Sequence, residues 1–151
     1  MRIARYISLV LVSALYIPAF GASFDNKPPD EQSITALEER AAQAQPREQC
    51  FLYAQVVHEM IEFSAQQYAA GEADKASNWM KKAQEFTHKL YGVLAVNDKK
   101  LKDAQILLRH TAFRLTELLH SGNSEDQELV QQTLAQLNKA QDEAMLQVFK
   151  K

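Results

Sequence analysis

From Cys50 onward the apolar positions fall into a helical rhythm. Cys50, Tyr53, Ala54, Val57, Met60, Ile61, Ser64, Ala65 and Tyr68 recur at spacings of three and four, with Gln55, Glu59, Glu62, Gln66 and Gln67 between them. This predicts an amphipathic helix beginning near Pro46-Arg47, where proline suits the first helical turn. Ala69-Ala70-Gly71 ends it, because glycine takes the left-handed conformation of a helix terminus at little cost. Ala76, Trp79, Met80, Ala83, Phe86 and Leu90 then repeat the rhythm. A short break between two amphipathic helices predicts an antiparallel hairpin over Cys50–Leu90.

The same pattern returns further along. Asn97-Asp98 reads as a helix start. Leu101, Ala104, Leu108, Thr111, Leu115 and Leu118 form the next stripe, widened by Leu107, Ala112 and Leu119. Ser121-Gly122-Asn123-Ser124 breaks it, and Ser124 is expected to cap a last helix. That helix is expected to bury Leu129 or Val130, Thr133, Leu134, Leu137, Ala140, Ala144, Met145 and Val148. Upstream, Thr35 and Glu38 have capping-box spacing and predict a short helix over about Ile34–Ala44, stopped by Pro46. The expected fold is all-α: an antiparallel helical bundle of two α-hairpins with a short N-terminal helix. The alternative is a stack of helical hairpins.

The first residues carry a different signal. Met1-Arg2-Ile3-Ala4-Arg5 is basic, Tyr6–Ile17 is an apolar run broken only by Ser8 and Ser13, and Ala19 and Gly21 are small. These are the three regions of a secretory signal peptide, and an apolar core of about 12 residues is short for a membrane span. The expected organisation is a signal peptide over 1–21, a polar linker over 22–32 with Pro28-Pro29, and a single helical domain over 33–151. Export into the periplasm or medium of a bacterium follows, with no membrane span after cleavage. Loss of Arg2 and Arg5 takes the formal charge from -2 to about -4, which gives no drive toward nucleic acid. Four Gly and four Pro suit a helical chain. The single cysteine, Cys50, has no internal disulfide partner and lies on the apolar stripe, where a buried thiol is expected over an intermolecular disulfide.

Ser64, Gly71, Ala76 and Ala83 fall where a tetratricopeptide hairpin wants small residues, and the stretch AAGEADKASNWMKKAQEF resembles the turn and second helix of that repeat. The resemblance covers one hairpin; the second does not repeat it around Gly122, which favours a closed bundle. The stretches QPREQCFLYAQVVHEM and LLRHTAFRLTELLH resemble uncharacterised small secreted helical proteins of acidobacterial type. That resemblance implies export and a helical fold, and no activity.

Candidate chemistry is sparse. Glu85–His88 and Glu117–His120 both have the Glu-x-x-His spacing of di-iron bundles, and Glu59, Glu62, Glu128 or Glu143 would have to complete such a site. In an up-down bundle the two motifs stand at opposite poles, so helix-terminal solvated histidines are expected instead. His58 and Glu62 share a face and offer half of a metal or acid–base pair. Arg109, His110 and Arg114 offer an anion patch, or a rim pairing with acids on neighbouring helices. Lys99, Lys100 and Lys102 are interrupted by Asp98 and Asp103. Haem held by Met60 or Met80 with His110 has no supporting motif, and phosphate-loop, haem-attachment and hydrolase signatures are missing. No catalytic, cofactor or metal residues are assigned and no cofactor is expected. The expected role is non-catalytic binding of a protein partner, or self-association, with Tyr53, Phe63, Tyr68, Trp79 and Tyr91 available to a partner. Phe51, Phe63 and Phe113 lie off the main stripes. The alternative is a periplasmic bundle binding a ligand, metal or haem.

Overall fold

The computed structural model describes residues 27–94, 100–121 and 126–150. Among them are five α-helices and no strand: α1 (Glu31–Gln43), α2 (Pro46–Ala69), α3 (Ala73–Val93), α4 (Leu101–His120) and α5 (Gln127–Phe149). The chain is a helical bundle, as its periodicity predicts.

Local chemistry explains most boundaries. α1 starts three residues earlier than expected, within the predicted linker. Its capping box is Asp30 and Ser33: Ser33 N–H donates to Asp30 Oδ1 at 2.8 Å, and Asp30 N–H donates to Ser33 Oγ at 3.0 Å. Thr35, the expected cap, instead donates its hydroxyl to the Glu31 carbonyl inside the helix. Pro46 opens α2 at its first turn. α2 ends in a Schellman motif: Gly71 has φ +80°, Glu72 N–H donates to the Gln67 carbonyl at 2.9 Å, and Gly71 N–H to that of Tyr68 at 3.1 Å. α3 runs on through Tyr91, Gly92 and Val93, past the expected end at Leu90, and Leu94 is buried. The expected starts at Asn97-Asp98 and Ser124 lie outside the described residues.

α2 and α3 form the predicted antiparallel hairpin, and α4 packs against α5. The hairpins then meet with like helices side by side, α2 on α4 and α3 on α5, while α3 and α4 lie across the diagonal. Side-chain bonds give the direction. His58 pairs with Thr111 and Glu62 with Arg114; Ser77 pairs with Asp126 and Gln84 with Thr133. Positions advance together along each pair, so both seams are parallel. α1 lies on α2, with a Lys75–Glu31 ion pair of 2.6 Å linking it to α3.

The core is filled by Met60, Ile61, Met80, Leu90, Leu108, Leu115 and Leu137, all fully buried. Each such side chain contributes about 1.5–3 kcal/mol relative to exposure. Ala54, Ala83, Ala104 and Ala140, equally buried, let the helices approach closely. Cys50 is fully buried on the same stripe.

Three expectations about exposure are corrected. Phe63 and Trp79 are interior, not partner-facing: their rings meet edge to face at 5.2 Å. Lysines seal this flank, with Lys75 Nζ 5.3 Å from the Phe63 ring centre, Lys82 Nζ 4.3 Å from that of Trp79 and Lys89 Nζ 4.0 Å from that of Phe86. Met145 is 40% exposed, not core. Met145 lies beside the stripe that Leu137, Ala140 and Ala144 turn into the core and that Val148 continues. Ser77–Asp126 and Gln84–Thr133 share an offset of 49 residues, which places the end of α3, Val93, level with Asp142. The last turns of α5 therefore outrun α3 by about 10 Å. Tyr53 and Tyr68 are half-buried, and Phe113, expected off the stripe, is 66% exposed.

Candidate functional site

The polar side chains that meet inside the bundle collect on the two seams. On the α2–α4 seam, His58 Nδ1 lies 2.9 Å from Thr111 Oγ1, and the fully buried Thr111 donates its hydroxyl to the Leu107 carbonyl at 2.9 Å. With its proton on the helix carbonyl, the threonine oxygen accepts from a protonated Nδ1 of His58; with the other tautomer it would donate to that nitrogen instead. Burial, aided by the positive potential of His110, pulls the His58 pKa below its ordinary value, while Glu62 opposes this. One turn on, Arg114 Nε donates to Glu62 at 3.3 Å and Arg114 Nη1 to Glu117 at 3.1 Å. Both ion pairs are substantially hydrated and contribute less than about 1 kcal/mol each.

On the other side Asp126, the N-cap of α5, joins both hairpins. Its Oδ2 accepts from Tyr68 at 2.9 Å and from Ser77 at 2.6 Å. Burial first, and the Asp126 carboxylate with it, push the Tyr68 phenol up to about 12. The adjoining cavity, lined by Tyr68, Leu118, Leu119, Ser121 and Val130, has a volume of about 10 Å³ and admits nothing larger than a water. Further along, Gln84 Nε2 donates to Thr133 at 2.9 Å.

A third feature is a shallow groove of about 420 Å³ where the start of α1 crosses α2. Pro28, Pro29, Ala36 and Leu37 give it an apolar lining, Lys27 and Arg40 border it, and Glu59 of α2 enters it. Glu59 is half-buried, and no hydrogen bond or ion pair to it occurs among the described residues. Burial, then the neighbouring Glu62, raise its pKa.

The sequence candidates are placed as follows. His88 is near the C-terminus of α3 and His120 ends α4; these helices run oppositely, so the two Glu-x-x-His motifs stand at opposite poles. Among the described residues no three His, Cys, Asp or Glu side chains come together in a way that could hold a metal ion. Of Arg109, His110 and Arg114, only Arg114 turns into the seam, pairing with a neighbouring helix as expected of a rim; the other two are exposed. Met60 and Met80 are core, away from exposed His110. Lys100 Nζ lies 5.0 Å from the Phe51 ring centre, Lys102 is exposed, and Lys99 lies outside the described residues. Sequence reasoning read Thr111 and Thr133 only as stripe residues, and Glu59 only as an outward polar residue or a spare carboxylate for a metal site. Their partners follow from which faces meet, which periodicity does not encode.

The remaining notable surface is apolar. Met145, Leu146 (56% exposed) and Phe149 (78% exposed) crowd the projecting end of α5, with Tyr91 at the neighbouring end of α3 under Lys139. Among the described residues no helix is long and apolar enough to cross a membrane. No protein family, curated protein or solved structure matches this chain.

Proposed function

We propose that this chain is an exported helical protein, directed by residues 1–21 and acting by binding another protein without catalysing a reaction on it. The observation that carries the reading is the end of α5. It outruns α3 and exposes Met145, Leu146 and Phe149 within two turns. Large apolar side chains concentrated on one helix end lose their contact with water when a partner covers them. Elsewhere on the described parts of α4 and α5 the exposed large apolar side chain is Phe113, which stands alone, so this end is set apart as a cluster.

Photo-crosslinking tests it. A benzophenone amino acid at Phe149 in the full-length protein, expressed in a bacterial envelope, is expected to form a discrete protein adduct. The same probe at exposed Gln131 is expected to form none. Substituting Met145 and Leu146 by Ser is expected to abolish the adduct while leaving the helical circular dichroism unchanged. Equal labelling at both positions, or an adduct indifferent to the serine substitutions, would overturn the reading.

A further inference from the structure

We infer that the groove between α1 and α2 receives a lone basic side chain, Lys or Arg, from an extended segment of a protein partner, with Glu59 taking its charge. This rests on the protein-binding reading but uses a surface separate from the end of α5. Three observations support it. Glu59 is a half-buried carboxylate without a hydrogen bond or ion pair among the described residues, whereas Glu62, three residues further along α2, already has Arg114. Its raised pKa marks an unmet demand for positive charge, and neither Lys27 nor Arg40 is among the groups that shift it. Lys27 is held by Asp30 at 2.8 Å.

The lining suits the stem of such a side chain. Pro28, Pro29, Ala36 and Leu37 offer an apolar wall to the methylenes of Lys or Arg, whose charged head then reaches Glu59. The rim sets the rest of the specificity. Lys27 and Arg40 border the groove, so a run of basic residues is repelled, and an acidic residue beside the lone base is favoured at Arg40. The occupant is therefore a basic residue next to an acidic one on an extended chain.

Labelled hexapeptides differing only at one central position (Lys, Arg or the uncharged norleucine, followed by Glu) test this against the full chain by fluorescence anisotropy and amide shift mapping. Lys and Arg peptides are expected to bind about tenfold tighter than norleucine, and the preference to weaken with salt. Shifts are expected at Ala36, Leu37 and Glu59. Glu59→Gln, which removes no hydrogen bond or ion pair among the described residues, is expected to erase the preference and keep the fold. Equal binding of the norleucine peptide, shifts confined to Met145–Phe149, or n-butylammonium alone binding as tightly as the Lys peptide would each overturn the proposal. The α5 crosslink is scored separately: an adduct there without a lysine preference sinks only the groove, while loss of that adduct sinks the α5 reading.

Discussion

His58 and Glu59 are neighbours in sequence and opposites in titration. The pKa of His58 is depressed by burial, so it binds a proton more readily in the unfolded chain. The stability this contributes is full above the ordinary value of 6.5 and is lost as pH falls through 6.5 toward the folded value. Glu59 is raised by burial, so its charge destabilises the fold at neutral pH, and protonation on descent toward 4.5 recovers that loss. Thermal melts across pH 4–8 separate the two. His58→Gln, which keeps a donor for Thr111, is expected to lose less stability than the parent between pH 7 and the folded His58 value. Glu59→Gln is expected to be more stable than the parent at pH 7 and to converge with it in acid. Parallel curves for parent and His58→Gln would show that the histidine is not the titrating group. These roles were only partly legible in the sequence. The stripe placed Thr111 inside, but its meeting with His58 depends on α2 lying beside α4.

At the scale of elements, the turn at Gly71 was fully legible, and its cost is open to measurement. A Cβ there meets nothing within 4 Å, so only the positive φ opposes substitution. Gly71→Ala is expected to cost about 1–2 kcal/mol, and Gly71→Asn less, because Asn tolerates the left-handed region. Urea midpoints of the three proteins check the order; equal midpoints would mean the hairpin re-forms without a left-handed residue. The start of α1 was misplaced for a related reason. Thr35–Glu38 and Asp30–Ser33 both offer capping chemistry, and the helix takes the earlier one, which buries Ile34 and lets Glu31 reach Lys75. Met145 failed differently. The expected stripe was one position too wide: Ala144 and Val148 turn inward, and Met145 beside them does not.

For the molecule as a whole, the hairpins were legible and their parallel docking was not. Nothing in a hydrophobic stripe says which stripe it will meet, and the polar pairs that fix the register are scattered along four helices. Two seams with hydrogen bonds at both heights predict that the hairpins unfold together. α1 joins them through Ile34 and Ala41, both fully buried. Ile34→Ala is expected to cost roughly 2–5 kcal/mol. It should lower the midpoint reported by Trp79, the only tryptophan, together with that of helical circular dichroism. Separate transitions would make α1 an independent unit.

Lys75, Lys82 and Lys89 stand seven residues apart on α3, each over an aromatic ring. That stripe is at once a charge pattern and a roof, which matters to anyone labelling the protein through its amines. Reductive methylation keeps the positive charge and leaves the rings sheltered. Acetylation removes the charge that holds each lysine over its ring, and with it the barrier between three buried aromatics and the nearest sticky surface. Amine chemistry that keeps the charge therefore preserves these three contacts, and chemistry that removes it does not.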